Sequence, residues 1–114
     1  CFRLHGHQWR VEVWIEGTAD ERTGIVLDYN CIKEVVGQFD HQVVLNADDP
    51  MAACIETFHP VVTTHGDPTS ELLASLIAEM IDAEAERQGR DARVAKIRVW
   101  ESTTCYAERT YDRQ

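Results

Sequence analysis

QWRVEVWIEG, residues 8–17, alternates along its whole length: Trp9, Val11, Val13 and Ile15 share one parity, and Arg10, Glu12, Trp14 and Glu16 share the other. Successive side chains of a strand leave on opposite faces, so the pattern predicts a half-buried strand of an antiparallel sheet. Downstream, TADERTG is a polar loop ending at Gly24, and the apolar step Ile25–Leu27 leads to Asp28, a residue type suited to cap a helix. Ile32, Val35, Val36 and Phe39 then fall at i, i+3, i+4 and i+7, which places them on one face of an amphipathic helix.

The periodicity fades over residues 40–67, which hold two of the three prolines. A loop is expected there, with a short helix at Met51–Thr57 and an extended VVTT. After DPTSE the helical spacing returns as Leu73, Leu76, Ile77, Met80 and Ile81, with Gly89 as the stop. KIRVWE, residues 96–101, alternates again, and CYAERTY is a weaker last strand. The order strand, helix, helix, strand, strand predicts an α+β fold with helices on one face of an antiparallel sheet. The first of these strands lacks an evident partner, so a further strand is expected upstream of it.

A chain of 114 residues fits one domain, and 44% hydrophobic with 27% charged residues is an ordinary globular balance. The formal net charge of −9 leaves no basic stripe to track a phosphate backbone, which argues against a nucleic-acid binder but not against a small anionic ligand. Cys1, Cys31, Cys54 and Cys105 include no CxxC pair and are too sparse for a disulfide scaffold, so reduced thiols and a cytoplasmic location are expected. The sequence has no apolar run of membrane-spanning length.

The candidate chemistry starts in CFRLHGHQW, residues 1–9. His5 and His7 share a strand parity, and Gly6 leaves the space between them clear, an arrangement suited to a divalent ion such as zinc. A third ligand is needed; His41, His59 and His65 are candidates, as is a residue ahead of Cys1. A thiol near a dication or imidazolium has a depressed pKa and can serve as a base, which is the active reading of Cys1; a small buried hydrophobe is the plain one. Asp40 beside His41 has the composition of a proton relay. Glu101, at the end of KIRVWE, reads on its own as a solvated carboxylate.

Together these pieces resemble the 6-pyruvoyltetrahydropterin synthase superfamily. C-x-x-x-H-G-H opens a strand, G-I-V-L-D-Y precedes a helix, F-D-H-Q-V-V-L-N follows it, P-T-S-E opens the next helix, and V-W-E-S-T-T comes last. The short gap between Cys1 and His5 is more similar to the 6-carboxytetrahydropterin synthase branch of the queuosine pathway. The resemblance covers nearly the whole chain. It implies a single T-fold domain over residues 1–114, incomplete at its N-terminus: an antiparallel sheet with two helices on one face, assembling into homo-oligomers, commonly hexamers. It implies zinc bound by three histidines, two matching His5 and His7; the third lies ahead of the motif cysteine in the family, and His41, His59 and His65 do not match it.

The resemblance further implies that Cys1 is the proton-abstracting base and that Asp40 and His41 complete a relay, contributed in some members across a subunit contact. It makes Glu101 the pterin anchor, sometimes with a relay role, and places Glu71 near the pterin pocket. Capping by Thr69 or Asp67 explains the residues around Glu71 equally well. The implied substrate is 7,8-dihydroneopterin triphosphate, and the products in the queuosine branch are 6-carboxytetrahydropterin, acetaldehyde and triphosphate. Ser102 stands where the family usually has Thr. Three rival readings are a 6-pyruvoyltetrahydropterin synthase that only eliminates triphosphate, an amidohydrolase using Cys1 as an N-terminal nucleophile, and a zinc-stabilised interaction domain without catalysis.

Overall fold

The alternating stretch becomes strand β1 (Arg10–Gly17), the first element of a computed structural model that describes residues 9–39 and 43–111. Among the described residues seven further elements follow: α1 (Tyr29–Gly37), β2 (Val43–Asn46), α2 (Pro50–Glu56), β3 (Val61–Thr64), α3 (Ser70–Arg87), β4 (Ala92–Trp100) and β5 (Tyr106–Thr110). The main sheet has the strand order β1–β4–β5 and is antiparallel throughout, with Arg10 opposite Trp100 and Trp100 opposite Tyr106. Trp9, Val11, Val13 and Ile15 pack on the core, as their shared parity requires.

Helices α1 and α3 cover that face. Ala74, Ile77, Ala78 and Ile81 of α3 meet Val94, Ile97 and Val99 of β4, and Val35 of α1 joins them. Leu73, Ile77 and Ile81 lie inside as the spacing predicts, while the deepest line also runs through Ala74, Ala78 and Ala85. Small side chains there let the helix sit close to the sheet, and Leu76 is left half-buried. In α1 the stripe includes Cys31, which is buried beside Val35; burial pushes its thiol pKa up.

The caps follow the local chemistry. Asp28 accepts the Asn30 N–H, Asp49 accepts the Met51 N–H with Pro50 at the first helical position, and Thr69 accepts the Leu72 N–H. Thr69 rather than Asp67 is therefore the α3 cap. At the far end, the Gly89 N–H reaches Glu86 O and the Arg90 N–H reaches Ala85 O, with Gly89 at φ 70°. That is the Schellman closure a left-handed glycine permits.

Three features depart from the expected plan. First, residues 43–64 are not mainly loop: β2 and β3 pair in parallel through the crossover helix α2, so the described residues hold three helices and a second, two-stranded sheet. The expected short helix and extended VVTT are its second and third members. Among the described residues, this β2–α2–β3 unit packs mainly on itself. Second, β4 begins at Ala92 rather than Lys96 and ends before Glu101. Its register slips between Trp14 and Ile15, which pair with Lys96 and Val94, leaving Ala95 as the extra residue of a bulge.

Third, the TADERTG loop is held from outside by Arg90. Its guanidinium donates to Val26 O and Ile25 O at 3.0 and 2.6 Å and approaches Asp20 Oδ2 at 3.4 Å. Asp20 accepts the N–H groups of Arg22 and Thr23, which with Arg90 hold its carboxyl below the usual range. Nearby, Gly17 at φ 156° passes so close to Asp91 that an added Cβ would lie 2.0 Å from its carbonyl oxygen.

Candidate active site

The direction of α3 decides which end of the sheet holds the site. Arg109, opposite Ile97, donates to Ser75 Oγ at 2.7 Å, and Asp82 Oδ1 accepts the Val94 N–H at 2.8 Å. Seven helical residues and three strand residues each advance about 10 Å. The helix therefore runs antiparallel to β4. Its N-terminal turn, with Thr69 and Glu71, lies at the end where β4 delivers Glu101. The chain also enters β1 there, because Arg10 pairs with Trp100.

Glu101 is exposed and begins a tight loop. Its N–H donates to Cys105 O at 3.0 Å, as does that of Ser102 at 3.3 Å. Ser102 Oγ accepts the Cys105 and Thr104 N–H groups at 3.1 and 3.4 Å, so the hydroxyl kept at this position has a structural task. Trp100 turns to the opposite face, where its indole donates to Glu12 Oε1 at 2.5 Å and its ring lies 4.4 Å from that of Tyr106. The carboxylate of Glu101 accepts no hydrogen bond among the described residues, which leaves it open to a ligand.

Glu71 occupies the second position of α3, exposed, with Ser70 Oγ 3.5 Å from its carboxylate. The Thr69 cap does not use it; apart from the long Ser70 contact, Glu71 projects outward, stabilised by the positive end of the helix. The structure thus brings Thr69, Glu71 and Glu101 to one end of the fold from distant parts of the sequence.

Cys1, His5, His7, Asp40 and His41 lie outside the described residues. Among the described ones, no group of three or more His, Cys, Asp or Glu side chains could hold a metal ion. His59, named above as a possible third ligand, pairs Nδ1 with Pro60 O at 2.7 Å, which occupies one of its two ring nitrogens. The thiols of Cys31, Cys54 and Cys105 are free. No helix among the described residues is long and apolar enough to cross a membrane.

The architecture is an antiparallel sheet backed by helices on one face, with Glu101 directly after its central strand. Residues 1–112 match the family model described as 6-pyruvoyl tetrahydropterin synthase, and the chain belongs to that family. A Pyrococcus abyssi protein, provisionally named 6-carboxy-5,6,7,8-tetrahydropterin synthase, is 33% identical over 96% of this chain and 76% of its own length. The 6-carboxy-5,6,7,8-tetrahydropterin synthase of Rickettsia felis is 28% identical over 95% of this chain and 83% of its own. Among solved structures, an uncharacterized Wolinella succinogenes protein superposes with a TM-score of 0.74 at 22% identity, covering 96% of this chain and 80% of that one. The Plasmodium vivax 6-pyruvoyltetrahydropterin synthase gives 0.63 at 20% identity, covering 96% and 83%. At these identities the superpositions speak for the fold.

Proposed function

We propose that this chain is a zinc-dependent 6-carboxytetrahydropterin synthase, converting 7,8-dihydroneopterin triphosphate to 6-carboxy-5,6,7,8-tetrahydropterin, acetaldehyde and triphosphate in queuosine biosynthesis. What supports this reading is the family match together with the placement of Glu101, Glu71 and Thr69 toward the end of the sheet where the chain enters β1. The names of the Pyrococcus and Rickettsia relatives favour this branch over the 6-pyruvoyl one. In this reading Glu101 accepts two N–H groups from the aminopyrimidinone edge, fixing the ring by a bidentate, charge-assisted contact. Thr69 and Glu71 border the same substrate.

Cys1, Asp40 and His41 take the proton-transfer roles, with the thiolate as base. His5 and His7 are the zinc ligands contributed by residues named here, and the bound ion would supply Lewis acidity toward the side-chain hydroxyls of the substrate. The outer sheet face, which no described element covers, supports assembly into homo-oligomers, a hexamer in this reading. Trp14 and Tyr106 are 40% and 47% exposed there, and Arg98 lies 4.5 Å from the Tyr106 ring. Burying such a surface between symmetric copies is the economical solution. A cytoplasmic location belongs to the same proposal.

Product analysis tests the assignment. The full chain with zinc, given 7,8-dihydroneopterin triphosphate, should release acetaldehyde and 6-carboxytetrahydropterin in equal amounts. Cys1→Ala should keep its zinc while turnover falls roughly a hundredfold, the usual scale for losing a positioned general base. Triphosphate release without acetaldehyde would move the chain to the 6-pyruvoyl reaction, and zinc loss in Cys1→Ala would make the cysteine a ligand.

A further inference from the structure

One polar arrangement at this end of the molecule has no role in the fold or chemistry described so far. Asn46 closes β2, and its amide works in both directions: Oδ1 accepts the Asp48 N–H at 3.0 Å, and Nδ2 donates to Asp67 Oδ1 at 3.1 Å. Asp67 sits two residues before the α3 cap and accepts the Thr69 N–H through its own carbonyl at 2.8 Å. The other side of the turn is tied down by buried Thr64, whose hydroxyl donates to Gly66 O at 2.7 Å while its carbonyl accepts the Ala47 N–H at 2.9 Å. Gly66 takes φ 109°, a conformation that other residues reach only with strain.

We propose that Asn46 is a positioning residue for substrate binding: its bridge from the end of β2 to Asp67 sets where the Asp67–Glu71 turn presents Thr69 and Glu71. The assignment rests on the pterin-synthase reading above. The residue type follows from the bonds. Ionised Asp67 only accepts and the Asp48 N–H only donates, so position 46 needs one donor and one acceptor on a short side chain. Asparagine supplies both. Aspartate would keep the bond from Asp48 but set two carboxylates against each other. The β2–α2–β3 unit packs mainly on itself, so this side-chain bridge is a direct mechanical link from the unit to the start of α3.

The test exchanges donor and acceptor. Asn46→Asp should raise KM for 7,8-dihydroneopterin triphosphate about tenfold, on the scale of a lost charged hydrogen bond, with kcat within about twofold. The double variant Asn46→Asp with Asp67→Asn rebuilds the bridge with reversed polarity and should return KM to within about threefold of the unaltered chain. A purely structural role would lower Tm and the active fraction, so kcat would fall while KM held; that outcome overturns the proposal, as does a double variant no better than the single.

Amide exchange at Leu72, whose N–H is held by Thr69 Oγ1 at 3.2 Å, gives a readout without substrate. It should quicken in Asn46→Asp and slow again in the double variant. An unaltered chain that leaves the pterin triphosphate intact overturns the function reading instead. The Leu72 exchange then decides the bridge alone: restoration supports it, and no change in Asn46→Asp overturns it.

Discussion

In the main sheet and α3, Ile81, Ile97, Val94 and Val99 expose at most 1% of their surface; in the β2–α2–β3 unit the largest buried hydrophobic residue is Ile55, at 6%. The first region is held by interdigitated side chains, and its stability is shared across four elements. The second is held by hydrogen bonds: the Asp49 cap on α2, the Asn46–Asp67 bridge and the Thr64 hydroxyl. Each such bond contributes on the order of 1 kcal/mol, against several for a packed isoleucine. The difference teaches that the scaffold and the segments presenting the site are separable in energy. The sheet can hold Glu101 in place while the smaller unit opens locally, as segments with little apolar burial do.

Ile81→Ala is the largest expected break. It removes a fully buried side chain between helix and sheet and should cost about 3–5 kcal/mol in chemical denaturation, read as a lower unfolding midpoint for the main sheet. A cost below 1 kcal/mol would mean that the α3–sheet contact does not organise the fold. Asp49→Ala tests the other side of the comparison. Losing this cap should cost about 1 kcal/mol, and amide exchange should quicken in residues 50–56 while the β4 amides keep their protection. Equal acceleration in β4 would show that the two regions are not separable.

The smallest effect concerns acid. Glu84 is bonded by Arg87 and, at 3.0 Å, by Gln88, which lowers its pKa from the ordinary 4.5 to about 2. A depressed carboxylate contributes stability that is fully present above its unfolded pKa and disappears as pH falls through the folded one. Glu84→Gln should therefore flatten part of the fall in Tm between about pH 5 and pH 2 and barely move Tm at pH 7, since exposed pairs are worth little. An unchanged acid limb would show that this pair does not hold in solution.

Much of the scaffold was legible because its signals are local and repeated. Val11, Val13 and Ile15 mark β1 by parity, and Leu73, Ile77 and Ile81 mark α3 by helical spacing. The α1 start was legible in Asp28 and the α3 end in Gly89. The parallel pairing of β2 with β3 was not: VVLN and VVTT are four-residue apolar runs, and nothing within such a run names its partner. The Ala95 bulge left a faint trace, since the buried positions of β4 step by two to Val94 and then by three to Ile97.

At the site, Glu101 was found through its place in V-W-E-S-T-T rather than through its environment, which in a single chain is open solvent. Away from Glu101, the hydrogen bonds of Arg90 and Asn46 were not legible because they are long-range. A lone Arg after a helix-ending Gly, or a lone Asn at the end of a short strand, shows its partners only once the chain is folded.

The most direct measurement is the dissociation constant of 7,8-dihydroneopterin triphosphate for the Cys1→Ala chain with and without Glu101→Gln, at matched zinc content and on a timescale short against the residual turnover. Glutamine keeps one acceptor but loses the charge and the paired geometry, so binding should weaken about 10- to 100-fold while Tm is unchanged. Equal affinity in the two proteins would contradict the account, because the carboxylate at the end of β4 would then not be what holds the pterin.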